Sequence, residues 1–220
     1  LMNPEMDLSD NACVSPFDSF NYYPIIENYN VESRQAVTGG GTMLKGGDPS
    51  VFGRAGEECL ALAAAEIKFE IIPGVSSAIA APALAAIPVT HRGVSDGVVV
   101  VTAHKRNGLE EPGIPPYREE TTLVLLMALS TIEKWQPQLL RLGYPADVPL
   151  AFIVQGCTQD EYVLESCLGD ALKDSLSKRV RSPCLVVIGE VVALRSKIRP
   201  WLVKTIGPEP RSSQGEMRKS

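Results

Sequence analysis

Four runs of consecutive apolar residues occupy the second half of the chain and set its fold class. They are "GVVVVTA" from residue 97, "TTLVLLMA" from residue 121, "PLAFIVQG" from residue 149 and "CLVVIGEVV" from residue 184. Short apolar runs bounded by turn residues are typical of strands that are covered on both faces. Segments of helical composition separate them, such as "LSTIEKWQPQLLRLG" from residue 129. Strands that alternate with helices predict an α/β fold with mainly parallel sheets.

A connector near residues 88–97 divides the pattern into two lobes. Before it, "TMLKGG" and "KFEIIPG" predict two strands, and "AGEECLALAAAEI" and "VSSAIAAPALAAI" predict two helices, the second capped by Ser76 or Ser77. An open sheet usually has about four to six strands, so the first lobe is predicted to be incomplete. The predicted domains are an irregular extension at 1–40, a partial N-terminal α/β lobe at 41–92, a C-terminal α/β lobe at 93–204 and a disordered tail at 205–220.

The overall charge and hydropathy argue against two classes of partner. A net charge of −5 over 220 residues argues against a general nucleic-acid binder, because neutralising phosphates requires clustered lysine and arginine. The longest apolar stretch, "SSAIAAPALAAIPV", is interrupted by Pro82 and Pro88 and is too short to span a bilayer. No charged segment followed by an apolar one opens the chain, so no secretory signal is predicted. We therefore expect no nucleic-acid partner and no membrane partner.

The cysteines and histidines indicate the compartment and the absence of a metal requirement. The five cysteines are scattered, odd in number and without a C-x-x-C pair, which favours reduced thiols and a cytoplasmic location. The two histidines have no ligand spacing, so no metal site is predicted.

A glycine-rich stretch, "LKGGDPSVFGRAGEE" at residues 44–58, is the first indication of a ligand site. It matches neither the G-x-x-x-x-G-K-[ST] phosphate loop nor the G-x-G-x-x-G dinucleotide fingerprint. On its residues alone it predicts a tight turn in which Asp48 caps a helix that has Pro49 as its first residue. The turns "IPGVSSA" and "VQGCT" and the strand end at Met127 take equivalent places after other strands. Because ligands bind at the carboxyl ends of strands in α/β sheets, these turns predict one shared site.

These segments, in this order, resemble the tetrapyrrole (precorrin and corrin) methylase family. The resemblance covers residues 42–203 and is carried most specifically by "IPGVSSAIAAPALAAIPVTHR". It implies two α/β lobes with S-adenosylmethionine in the cleft between them, a tetrapyrrole substrate and a homodimer. Within the family, the Thr-His-Arg at residues 90–92 favours methylation of uroporphyrinogen III to precorrin-2. A later precorrin methylase and a truncated, non-catalytic chain that binds a ligand remain as alternatives.

The resemblance also implies which residues form the site. The expected contacts to S-adenosylmethionine are Gly46, Gly47, Asp48, Val51, Ser76, Ser77, Met127 and Gly156. The expected cations for the substrate carboxylates are Arg54, His91 and Arg92; surface or helix-end salt bridges are the alternative role, more so for Arg54 than for the other two. The family's opening glycine turn and its proton-transfer groups have no match in residues 1–41, so no catalytic residue is named.

Overall fold

The computed structural model describes residues 43–104 and 111–203. The predictions for residues 1–40 and 205–220 therefore lie outside the described residues. The predicted division into two lobes stays a prediction.

Ten helices and strands make up the regular structure of the described residues. In chain order they are α1 (Ala55–Ala64), α2 (Ser77–Leu84), β1 (Gly97–Thr102), β2 (Thr121–Leu126), α3 (Ile132–Arg141), β3 (Pro149–Val154), β4 (Tyr162–Cys167), α4 (Ala171–Ser177), β5 (Cys184–Ile188) and α5 (Arg195–Ile198). Short 3₁₀ turns at Leu129–Thr131, Leu168–Asp170, Glu190–Leu194 and Arg199–Trp201 join or extend them.

The five strands form one sheet in the order β1-β2-β5-β3-β4. Strands β1 and β2 are parallel, whereas β5 is antiparallel to both β2 and β3, and β3 is antiparallel to β4. The α/β class is confirmed, but the pairing directions correct the expectation of mainly parallel strands. The antiparallel pairing of β3 and β4 follows from the short turn at residues 155–161 that joins them. Such a turn can join antiparallel strands, whereas a parallel pair needs a crossover of about a dozen residues.

Helices cover both faces of this sheet. On one face, Phe152 of β3 and Val186 of β5 pack with Trp135 of α3 and Ala171 of α4. On the other face, the alternate residues of the same strands pack against α2, as their side chains point the opposite way. They include Ala151, Ile153 and Val187, which form one core cluster with Val124 of β2 and with Ala78 and Ala81 of α2. The central strands are thus buried on both faces, as their unbroken apolar sequences predicted.

The segments around α1 contain no strand within the described residues. Both "MLKGG" at residues 43–47 and "KFEIIPG" at residues 68–74 are irregular, although the sequence predicted a strand in each. A strand is defined by hydrogen bonds to a neighbouring strand, and no described residue supplies such a neighbour here. As a result Ile71 and Ile72 are exposed by 52% and 75%.

Candidate functional site

The glycine turn at residues 46–48 lies directly against the turn at Pro73 and Gly74. One carboxylate oxygen of Asp48, Oδ2, accepts a hydrogen bond of 3.0 Å from the backbone N–H of Gly74. The other, Oδ1, accepts from the backbone N–H of Ser50 at 2.8 Å and also from the Ser50 hydroxyl. These donors hold the pKa of the Asp48 carboxyl below its usual value, the Ser50 hydroxyl having the largest effect and the Gly74 N–H the next.

Gly47 and Gly74 have no side chains, and this lets the two turns approach each other closely. A Cβ atom on Gly74 would lie 2.6 Å from the backbone oxygen of Gly47, a distance that real contacts do not show. Gly47 itself has a φ of +97°, a conformation that favours glycine. The glycines of "KGGDP" and "IPG" therefore permit a backbone-to-backbone contact that a larger residue would prevent.

Asp48 does not cap a helix, which corrects the prediction from the sequence. Helix α1 begins at Ala55, and its N-cap residue is Arg54, in the left-handed region at φ 60°. Asp48 instead closes a short turn, in which its backbone oxygen accepts from the N–H of Val51 at 3.3 Å. Val51 is thereby held beside the glycine turn, with 38% of its surface exposed.

The serine turn starts helix α2 as the sequence predicted. Ser76 is the N-cap, and its hydroxyl oxygen accepts from the backbone N–H of Ala78 at 3.2 Å. Ser77 is the first residue of the helix, where backbone N–H groups have no partner within the helix. Such an N-terminus offers hydrogen-bond donors to an electronegative ligand atom.

The turn after β3 packs against the same helix. A Cβ atom on Gly156 would lie 2.7 Å from the Cβ of Ala81, so only glycine lets this turn approach α2 so closely. The backbone N–H of Gln155 donates to the oxygen of Pro183 at 2.9 Å, which fixes the turn to the start of β5. Helix α2 therefore links the serine turn at its N-terminus to the glycine turn after β3.

Met127 and Gly156 lie at one edge of the sheet. Because β5 is antiparallel to both β2 and β3, β2 and β3 run in the same direction and end at the same edge. Met127 directly follows β2, has a φ of 54° and exposes 48% of its surface. A left-handed methionine is uncommon, and strained backbone of this kind occurs often at functional sites. No pattern in the sequence predicted this conformation.

The cation candidates are divided between two places. Arg54 ends the loop that starts with the glycine turn, and its guanidinium pairs with the carboxylate of Glu57 at 2.6 Å, both side chains being exposed. His91 and Arg92 are exposed in a turn in which His91 and Ser95 exchange backbone hydrogen bonds of 2.9 Å. The Ser95 hydroxyl lies 2.8 Å from that of Thr122, near the beginning of β2. Thr122 and Met127 are five residues apart, or about 16 Å along a strand, so the structure does not bring His91 and Arg92 next to Met127.

Two further residues, His104 and Cys157, follow strands β1 and β3 near the candidate site. His104, which sequence reasoning did not select, follows β1 and donates its backbone N–H to the Thr102 hydroxyl at 3.2 Å. Its place directly after "VVVVTA" was the signal that could have found it. Cys157 follows Gly156, and burial, with a smaller contribution from Glu161, raises the pKa of its thiol to about 11. The thiol is therefore protonated at neutral pH and is not a nucleophile there.

The described parts of the chain contain neither a group of metal ligands nor a membrane-spanning helix. Within residues 43–104 and 111–203, no three histidine, cysteine, aspartate or glutamate side chains are grouped so as to hold a metal ion. In the same residues, none of the helices has the length and apolar character needed to cross a bilayer.

The fold and the site together define an α/β protein in which glycine and serine turns gather around a sheet edge. The model of the family described as Tetrapyrrole (Corrin/Porphyrin) Methylases matches residues 27–172 of the chain. The chain therefore belongs to this family. The matched range begins ahead of residue 42, where the resemblance read from the sequence began.

Individual proteins are also similar to this chain in sequence or structure. The uroporphyrinogen-III C-methyltransferase of Methanocaldococcus jannaschii is 40% identical over 151 residues, which are 68% of this chain and 62% of that protein. The siroheme synthase of Pseudomonas fluorescens is 40% identical over 157 residues, or 71% of this chain and 34% of that protein. The crystal structure of uroporphyrin-III C-methyl transferase from Thermus thermophilus with S-adenyl homocysteine has a TM-score of 0.59 and 34% identity, covering 67% of this chain and 64% of that chain. The matches thus span less than two thirds of each of these relatives.

Proposed function

We propose that this chain binds S-adenosylmethionine and transfers methyl groups to two carbons of uroporphyrinogen III, one donor molecule for each methyl, giving precorrin-2 on the route to sirohaem or cobalamin. The observation that carries the proposal is the meeting of the turns at residues 46–48 and 73–77, with α2 connecting them to the turn at Gly156. The 40% identity to an archaeal uroporphyrinogen-III C-methyltransferase supports the same reading.

The residues present fit this methyl donor. Gly46 and Gly47 offer backbone groups without side chains in the way, and the N-terminus of α2 at Ser76 and Ser77 offers hydrogen-bond donors. Exposed Met127 offers a soft apolar surface suited to an adenine ring. S-adenosylmethionine has no phosphate group, which agrees with the lack of a phosphate-loop lysine motif. When bound, it supplies a methyl group on a positively charged sulfur.

The contribution of the protein to such a reaction is chiefly positioning. Turns that hold the two reactants in line convert a bimolecular reaction into an effectively unimolecular one. Among the three predicted cations, Arg54 is the one placed in the loop of the glycine turn, and a guanidinium can grip a substrate carboxylate with two hydrogen bonds. We retain Arg54 as the first candidate for substrate binding and rank His91 and Arg92 after it.

The proposal also covers the oligomeric state and the location of the protein. We propose that the chain works as a homodimer, which light scattering on a size-exclusion column tests through the molar mass. We also keep the predicted cytoplasmic location; the four described cysteines, Cys59, Cys157, Cys167 and Cys184, form no disulfide with one another.

Titration calorimetry with S-adenosylmethionine and a methyl-transfer assay test the proposal on the full chain. We expect binding of the donor and a mass gain of two CH₂ units on uroporphyrinogen III, one for each methyl group that is added with loss of a proton. Met127→Ala should weaken donor binding by about tenfold, since it removes an apolar contact surface. Leu176→Ala, which shortens an exposed side chain on α4, should leave the affinity unchanged.

Each alternative outcome has a definite meaning. Methylation of precorrin-2 but not of uroporphyrinogen III would assign the chain to a later methylase. Donor binding without turnover on either substrate would indicate a non-catalytic binding chain. Absence of donor binding by the folded chain would overturn the proposal.

A further inference from the structure

We propose that Asp48 is a positioning residue whose carboxylate fixes the glycine turn at residues 46–48 against the turn at Gly74. The inference rests on the proposed function in that these two turns would hold the methyl donor. It differs from the direct donor contact expected from the sequence, because Asp48 would act through Gly74 and the segment that follows it.

The hydrogen bonds of Asp48 carry the inference. Both carboxylate oxygens are already engaged by the protein, Oδ1 by the backbone and hydroxyl of Ser50 and Oδ2 by the backbone N–H of Gly74 at 3.0 Å. Hydrogen bonds to an ionised acceptor are about twice as strong as neutral ones. The Asp48 carboxylate accepts three such hydrogen bonds, all from groups of this protein, and together they fix its orientation.

The position of Gly74 explains why this contact matters. Gly74 is 26 residues from Asp48 in sequence and two residues before Ser76, the N-cap of α2. Gly47 and Gly74 touch through their backbones and have no side chains that could hold the contact together. Loss of the Asp48 carboxylate would therefore let the two turns separate. It would also displace the segment that leads to the backbone N–H groups at the start of α2.

The contact should also depend on pH in a predictable direction. The pKa of Asp48 in the folded chain is lowered, first by the Ser50 hydroxyl and then by the Gly74 N–H. A lowered folded-state pKa means that the contribution is present above the unfolded pKa and is lost as the pH falls through the folded pKa. In the wild type, the amide proton shift of Gly74 should follow this titration at acid pH.

The experiment uses the full chain with three substitutions and two readouts. The substitutions are Asp48→Ala, Asp48→Asn and, as a matched control, Asp96→Asn, which changes an exposed carboxylate paired with Arg118. The first readout is the nuclear magnetic resonance shift of the Gly74 amide proton as a function of pH, without donor. The second is the dissociation constant for S-adenosylmethionine by calorimetry at neutral pH.

We expect a graded result. Asp48→Ala should remove the acid titration of the Gly74 amide and weaken donor binding by about 10- to 100-fold, the range for losing a hydrogen bond to a charged group. Asp48→Asn keeps one acceptor oxygen, so it should also lose the titration but recover part of the affinity. Asp96→Asn should retain both the titration and the wild-type affinity.

Two results with Asp48→Ala would overturn the inference, and neither depends on the proposed function alone. A Gly74 titration that persists in Asp48→Ala would show that the carboxylate does not act on Gly74. A loss of donor binding in Asp48→Ala with the Gly74 environment unchanged would show direct contact with the donor instead. If the wild-type chain binds no S-adenosylmethionine, the proposed function fails. The pH titration of the Gly74 amide would still show whether the Asp48 carboxylate contacts Gly74. Should Asp48→Ala not fold, Ser50→Ala removes one hydrogen-bond donor to the carboxylate and should raise the pH at which the Gly74 amide titrates. A Gly74 amide that shows no acid titration in the wild type would then contradict the inference.

Discussion

Strand β3 and the segment at residues 67–72 have comparable sequences and opposite environments. "PLAFIV" in β3 is hydrogen-bonded on both sides and buried, with Ile153 only 1% exposed. "IKFEII" at residues 67–72 is equally rich in strand-forming residues, yet it is irregular and leaves Ile72 exposed by 75%. The sequence predicted a strand in both places.

The difference shows that strand structure and burial depend on what lies beside a segment. β3 has β5 and β4 as neighbours and a helix layer on each face, so its apolar side chains leave water. No described residue supplies residues 67–72 with a neighbouring strand. The candidate site spans both environments, since Asp48 and Gly74 belong to the open region and Met127 and Gly156 to the sheet.

Substitution of one isoleucine in each region gives the largest expected difference. Ile153→Ala should lower the free energy of unfolding by about 2–5 kcal/mol, because it removes buried methyl groups and leaves a cavity. Ile72→Ala should change it by no more than about 0.5 kcal/mol, as is usual for exposed positions. Urea unfolding followed by circular dichroism measures both values on the same scale.

The two variants control for each other, since the chemical change is identical. Similar losses for Ile153→Ala and Ile72→Ala would break the comparison, because they would mean that Ile72 is covered in solution. In that case repeating the Ile72→Ala measurement over a range of protein concentrations would reveal whether a second copy provides the cover.

Local features of the fold could be predicted from the sequence. The central strands, helices α1 and α2 and the capping role of Ser76 follow from composition, apolar runs and side-chain hydrogen bonding over a few residues. The prediction that Met127 and Gly156 share one edge needed only the rule that ligand sites lie beyond strand ends. The structure agrees with it even though most neighbouring strands are antiparallel.

Long-range contacts could not be predicted in the same way. The insertion of β5 between β2 and β3 is not encoded by any local pattern, and it determines the pairing directions. The bond between Asp48 and Gly74 joins residues 26 positions apart, so the sequence favoured the nearer role of helix cap. The left-handed conformation of Met127 had no sequence signal, since methionine has no intrinsic preference for it.

A methyl group added at Gly156 tests how tightly the sheet region is packed. Gly156→Ala should lower the free energy of unfolding by about 1–3 kcal/mol, because the new Cβ would lie 2.7 Å from the Cβ of Ala81. Gly56→Ala is the matched control in the other region, where an added Cβ meets no atom within 4 Å. In helix α1 that change should stabilise the chain by about 0.5–1 kcal/mol. Thermal or urea unfolding checks both, and a neutral Gly156→Ala would mean that the turn after β3 moves freely relative to α2.

Exposed ion pairs should be the features in which the two regions differ least. Arg118 grips Asp96 with bonds of 2.9 and 2.8 Å beside the sheet, and Arg54 pairs with Glu57 at the start of α1. Since all four side chains are well exposed, water and salt screen both pairs. Arg118→Ala and Arg54→Ala should each change the free energy of unfolding by less than about 1 kcal/mol, and 0.5 M salt should reduce the loss in both. A loss above about 2 kcal/mol from Arg118→Ala alone would show that its contact with Asp96 is part of the sheet's structural core rather than a solvated surface pair.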